Sequence, residues 1–297
     1  MDLSKAWTSI PQKIFEAGLS VLRRRAGLVC KAVRVDDDPI TYLERPGPGR
    51  TIVLLHGFAA NKDTWLHFAR YLPRTYRILA IDLPGHGDNR RFMDRVYDAE
   101  HITQGLARAI QALGLERLHL VGNSLGGYIA SLYAADHPDQ LDTLGLLAPA
   151  GVTARIPSDF QVALDQGHNP LLVNSQSSFD RLTDLLFVKP PCMPWPVSSV
   201  LLRYHRQWYE FNCKMWQDLW NNRREVTQWL PRLRLPVCLL WGANDRILHV
   251  SGAEIFQRYL AQAETTIIKN CGHGMLFERP REAARAYVDF LRRTPRP

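Results

Sequence analysis

Leu118-His119-Leu120-Val121-Gly122-Asn123-Ser124-Leu125-Gly126-Gly127 is the stretch on which the fold of this chain turns. A short apolar strand runs into G-x-S-x-G, and a helical pattern follows over residues 125–136. A strand-to-helix turn of that kind holds Ser124 in a strained conformation. It needs glycine at 122 and 126 because neighbouring backbones approach too closely for a Cβ. A serine hydroxyl is a weak nucleophile, so this one calls for a base in hydrogen-bond reach and for donors to an oxyanion.

Outward from that turn, apolar runs of strand length recur at residues 51–55, 77–81, 144–147 and 237–241, with a shorter one at 265–268. They are rich in Val, Ile and Leu, as expected of strands buried on both faces. Helical patterns fall between them at residues 64–71, 99–113, 252–261 and 281–292. The alternation predicts a mostly parallel sheet with helices on both faces. Residues 36–39 read as a polar turn and residues 45–50 as a flexible connection. From residue 151 to about 234 the rhythm breaks, with eleven aromatics, Pro190-Pro191 and no clear buried strand. A structureless loop of that length is improbable, so a helical lid over one end of the sheet is expected, with several aromatics lining a cavity. The expected division is an amphipathic segment at 1–30, a core of 31–150 with 235–297, and a helical cap at 151–234.

The base is expected late in the chain. Asn270-Cys271-Gly272-His273-Gly274-Met275 follows the last strand, and its glycines let the His273 imidazole turn toward a neighbouring strand end. His249 is the rival, but it sits beside the expected acid. That acid is Asp245, where the run Val237-Cys238-Leu239-Leu240-Trp241 ends in Gly242-Ala243-Asn244-Asp245. A carboxylate there holds an imidazole in one tautomer and stabilises the imidazolium. Asp218 and Asp142 are weaker candidates, since neither follows a strand end. For the oxyanion, one donor is the Leu125 amide at a helix N-terminus. The other is the Phe58 amide in His56-Gly57-Phe58-Ala59, where Gly57 permits a tight turn and His56 orients the loop.

Composition narrows the class. The chain has 297 residues, 46% hydrophobic and 22% charged, which is ordinary globular usage. Lys and Arg exceed Asp and Glu by 37 to 29, for a net charge of +8. The excess is spread over both termini and the 151–234 segment, not gathered in one stripe, so a nucleic-acid partner is not expected. Five scattered cysteines without C-x-x-C disfavour a disulfide framework or a zinc site and fit a reducing, cytoplasmic setting. Nucleophile and base are both side chains, so no metal or cofactor is expected. No apolar run reaches the ~18 residues of a membrane span. The start is a poor signal peptide, because Arg23-Arg24-Arg25 follows the apolar residues. Trp7, Ile10, Ile14, Gly18, Val21 and Leu22 recur at helical spacing, and Pro11 is expected to break that helix or start a new one. Two readings stand: a helix packed on its own domain, or one lying in the plane of a membrane surface with Trp7 and Phe15 at the headgroups.

Five motifs together resemble an α/β-hydrolase: H-G-F at 56–58, D-L-P-G-H-G at 82–87, G-N-S-L-G-G at 122–127, G-A-N-D at 242–245 and C-G-H-G at 271–274. The elbow, the Arg-Arg-Arg-Ala-Gly-Leu stretch and the basic amphipathic start look like the monoacylglycerol-lipase and esterase branch. The resemblance implies an acyl-enzyme route to ester hydrolysis, a small-molecule or lipid ester substrate, and peripheral contact with a membrane. Asp88 departs from the family, where Ser commonly follows P-G-x-G. Ser124 argues against haloalkane dehalogenases and many epoxide hydrolases, which carry Asp at that turn. Cap-bearing relatives that cleave C–C bonds share the same three residues and remain an alternative. A binding protein on a hydrolase scaffold has no need of all three.

Overall fold

The computed structural model describes residues 3–36 and 38–294, with the backbone alone for residues 3–9. Eight strands form one sheet: β1 (Val29–Val35), β2 (Asp38–Arg45), β3 (Thr51–Leu55), β4 (Arg77–Ile81), β5 (Leu118–Asn123), β6 (Leu141–Leu147), β7 (Val237–Gly242) and β8 (Ala263–Ile268). Their spatial order is β1-β2-β4-β3-β5-β6-β7-β8. From β4 to β8 every pair is parallel, while β2 runs antiparallel to both β1 and β4. The central strands β3, β5, β6 and β7 are buried at every residue, as expected of largely apolar strands covered on both faces.

The helices are α1 (Leu3–Ala26), α2 (Leu66–Ala69), α3 (Ala99–Ala112), α4 (Leu125–Asp136), α5 (Asp159–Asp165), α6 (Gln176–Leu186), α7 (Trp195–Gln207), α8 (Tyr209–Asn221), α9 (Gly252–Tyr259), α10 (Met275–Glu278) and α11 (Pro280–Arg293). Helices α5 to α8 lie between β6 and β7 in the chain. Phe211, Met215 and Leu219 of α8 recur at i, i+4 and i+8 and enter the main core. Phe160 and Phe179 belong instead to two small clusters of their own.

The structure differs from the sequence expectation at three places. The β1–β2 hairpin lies where only a polar turn is legible, because most of β1 is exposed and carries no apolar alternation. Arg45, expected in a flexible stretch, is 2% exposed. Its guanidinium donates to the carbonyls of Ala26, Ala69, Leu72 and Pro73, so it caps the ends of α1 and α2. Pro11 neither ends nor starts a helix: α1 runs through it. Pro11 is buried, and with Phe15, Leu19, Leu22 and Ala26 it lies on the stripe turned inward. Ile10 and Ile14 stay about half exposed, at 49% and 50%. The Trp7 and Lys5 side chains lie outside the described residues.

Candidate active site

Ser124, Asp245 and His273 follow strands β5, β7 and β8 at the carboxyl end of the sheet. Ser124 follows β5 with φ +56° and ψ −119°, a conformation an L-residue holds only when its surroundings over-determine it. A Cβ on Gly122 would lie 2.1 Å from the Gly126 carbonyl oxygen, and one on Gly126 would lie 2.2 Å from that of Leu55. Both glycines are therefore required by backbone contact. Four bonds lock the turn: the Ser124 amide donates to Leu147, and the Ser124 carbonyl accepts from Gly127, Tyr128 and Ala150.

Asp245 and His273 meet. His273 Nδ1–H donates to Asp245 Oδ2 at 2.7 Å, and Asp245 Oδ1 accepts from the Ile247 and Leu248 amides at 2.9 and 2.8 Å. The carboxylate is 3% exposed with both oxygens occupied, so the imidazole has one orientation. The two loops run side by side for a stated reason: a Cβ on Gly242 would lie 2.4 Å from the Gly272 oxygen. Amides of Ala243 and Asn244 donate across to Ile268 and Cys271. The Ser124 hydroxyl has no hydrogen-bond partner among the described residues. Catalytic contacts of this type commonly tighten only when substrate seats.

Neither the Leu125 nor the Phe58 amide donates a hydrogen bond among the described residues, which leaves two N–H groups available beside Ser124. Gly57 is needed for proximity, since its Cβ would come within 3.3 Å of Ser124 Cβ. The left-handed residue of that turn is Ala59, at φ +53°. His56 orients the loop: its Nε2 accepts from the Leu83 amide at 3.0 Å, so its Nδ1–H donates to the Gly57 carbonyl at 2.8 Å. Burial holds His56 below the usual imidazole range and pushes His86 beside it down to about 3, so both rings are neutral.

The other candidates lie elsewhere. Asp142 sits near the start of β6, at the far end of the strands, and pairs with Arg50 and Arg117. Asp218 on α8 accepts from the Tyr97 amide at 2.8 Å and pairs with Lys214, which fastens that helix to the loop before α3. His249 accepts the Ser251 amide at Nδ1 and makes no hydrogen bond or ion pair with Asp245.

Two structural residues escaped the sequence reading. Glu278 clamps the histidine loop, accepting from the Gly272 amide at 2.7 Å and from Val188 and Lys189 of the helical insertion at 2.8 and 2.9 Å. Lys62 is 1% exposed and donates to Asp82 and Asp88 at 2.7 and 2.6 Å. The unusual Asp88 thus shares a buried ammonium with Asp82. Nothing local marks either residue, since each gains its role from partners distant in the chain.

Comparison with known proteins agrees with the fold. A family model described as alpha/beta hydrolase fold matches residues 50–280. The monoacylglycerol lipase abhd6-B of Xenopus laevis is 32% identical over 91% of this chain and 84% of its own length. Lipase 1 of Psychrobacter immobilis is 29% identical, over 90% and 86%. Among solved structures, a bacterial membrane phospholipase A is 38% identical with a TM-score of 0.92, covering 95% of this chain and 92% of that one. A match over most of the length, on a sheet of this order with its elbow after β5, makes the chain a member of the α/β-hydrolase family, in the branch of the monoacylglycerol lipases.

Proposed function

We propose that the protein is a carboxylic-ester hydrolase acting on lipid esters of the monoacylglycerol class. Ser124 Oγ attacks the ester carbonyl while His273 Nε2 takes its proton. The oxyanion is held by the Phe58 and Leu125 amides, and Asp245 stabilises the imidazolium. Collapse expels the alcohol, which takes the proton from His273. Water then attacks the acyl-enzyme with His273 again as base, releasing the fatty acid. The observation that carries this reading is the 2.7 Å Asp245–His273 bond at the same sheet end as the strained Ser124. Lipase and phospholipase names among the relatives favour esters over C–C bonds.

In this reading residues 151–234 form a cap over the site, and α1 rests on a membrane surface without crossing it. No helix among the described residues is long and apolar enough to cross. Packing of α1 accounts for its inward stripe and for Arg23, which pairs with Asp63 at 2.6 Å. It leaves Ile10, Ile14, Lys13, Arg24 and Arg25 exposed. Trp195, 58% exposed, begins α7, the helix against which α1 packs. Each basic residue near an anionic surface adds about 1 kcal/mol of attraction.

The test is turnover of p-nitrophenyl esters and monoacylglycerols of rising chain length, beside a diketone. Ester turnover and fluorophosphonate labelling lost together in Ser124→Ala is the expected result. Diketone cleavage without ester turnover overturns it. Vesicle co-sedimentation tests the surface: Ile10→Glu with Ile14→Glu should release the protein from anionic vesicles, and unchanged binding removes α1 from that role.

A further inference from the structure

Helix α8 presents two stripes. Met215 and Leu219 enter the main core, and Trp216 and Trp220, one position further round, stack on each other at 5.4 Å. The Trp216 indole meets the Phe58 ring edge-on at 5.8 Å and the Phe160 ring at 5.8 Å. It also belongs to the small cluster containing Ile247 and Leu248, the residues whose amides hold Asp245. Trp216 therefore stands between the loop offering the Phe58 N–H and the loop carrying the acid.

The Phe58 loop is fastened unevenly. On its core side His56 is locked by two hydrogen bonds. Phe58 itself donates nothing from its amide, and its partly buried ring packs on the edge of the main core between His86, 6.2 Å away, and Trp216, which contacts it from the insertion side. An oxyanion donor contributes only when it is aimed before the charge develops. We propose that Trp216 is a positioning residue for the reaction: by holding the Phe58 ring it aims the Phe58 amide, so helix α8 completes the oxyanion hole as well as covering the site. The inference rests on the serine-esterase reading.

A residue that only walls an acyl pocket matters in proportion to the chain it touches; a residue that aims a donor matters for every ester. The test is therefore kcat and KM of the full chain on p-nitrophenyl acetate and decanoate, with a boronic acid as tetrahedral mimic. Loss of a donor costs about 10²–10³-fold, and misaiming one costs part of that, on the order of 10–100-fold. Trp216→Ala should lower kcat by that factor on acetate and decanoate alike, leave KM for acetate within about threefold, and weaken the boronate equally. Trp216→Phe should restore most of the loss. Phe58→Ala should show the same defect, with the double variant no worse than the worse single one. Trp216→Leu, which keeps bulk without a ring edge, carries the same expectation if the alanine variant fails to fold. Unchanged kcat on acetate, with loss confined to decanoate, overturns the proposal and leaves the esterase reading intact. A wild type without Ser124-dependent ester turnover overturns both.

Discussion

At the carboxyl end of the sheet the turns carrying Ser124, Asp245 and His273 are packed backbone to backbone, whereas helix α8 in residues 151–234 is fastened to the core through side chains. At Gly122, Gly126 and Gly242 the main chains pass so closely that no Cβ fits. Across from them, helix α8 is tied down by Asp218 to the Tyr97 amide. Arg91 adds a second tie, lying 3.9 Å over the Trp208 ring and donating to Tyr204 at 2.8 Å. Backbone contacts leave almost no room for adjustment and suit groups that must be placed within a fraction of an ångström. Side-chain contacts between helices tolerate repacking, which would suit the cap proposed for residues 151–234.

The sharpest break of that comparison is kinetic. Asp245→Asn should keep the fold and lower kcat on the order of 10⁴-fold, because the amide stabilises the wrong imidazole tautomer. His273→Ala should be similar, and the two together scarcely worse. If steady-state assays find Asp218→Asn damaging and Asp245→Asn silent, the catalytic acid belongs to the helical insertion and the division above fails.

Stability gives the next largest effect. Lys62→Met strands Asp82, which is fully buried, and should cost about 3–5 kcal/mol in urea unfolding. Asp88→Asn removes the other partner, whose side chain is 64% exposed, and should cost under about 1 kcal/mol. Equal costs would show that the two carboxylates share the ammonium evenly.

A smaller effect separates the insertion from the core by pH. Burial pushes His205 on α7 down to about 4, and its Nδ1 has no partner among the described residues. The unfolded chain binds that proton near pH 6.5 and the folded one only near 4. Between those values the unfolded state holds more protons, so stability falls as pH drops, by roughly 1.4 kcal/mol per pH unit. His205→Leu should make the stability profile shallower by that amount between pH 6.5 and 4, read by unfolding at pH 7 and 4.5. An unchanged slope assigns the acid sensitivity to the core, where burial lowers His86 to about 3 and His119, on β5, to about 4.

Much of the architecture is readable locally. Runs such as Thr51–Leu55 and Arg77–Ile81 are apolar because both faces are covered, and their limits coincide with β3 and β4. Ser124, Leu125 and the strand before them are legible because a strand-to-helix turn needs glycine at fixed offsets. His273, Asp245 and Phe58 are readable as candidates because each sits in a turn just past an apolar run. The β1–β2 hairpin is not, since its exposed residues lack a period to detect.

What the chain alone determines, then, is the order of the core strands from β3 to β8 with the helices between them, and the short turns that carry Ser124, Asp245 and His273, since these depend on neighbours within a few residues. Only the tertiary structure decides that Arg45 caps two helices, that Lys62 serves Asp82 and Asp88, that Glu278 holds the histidine loop, and that Trp216 leans on Phe58. Each of these is a polar or aromatic side chain of unremarkable local context. Its role comes from a partner brought near by folding, and neither hydrophobic period nor turn chemistry encodes that meeting.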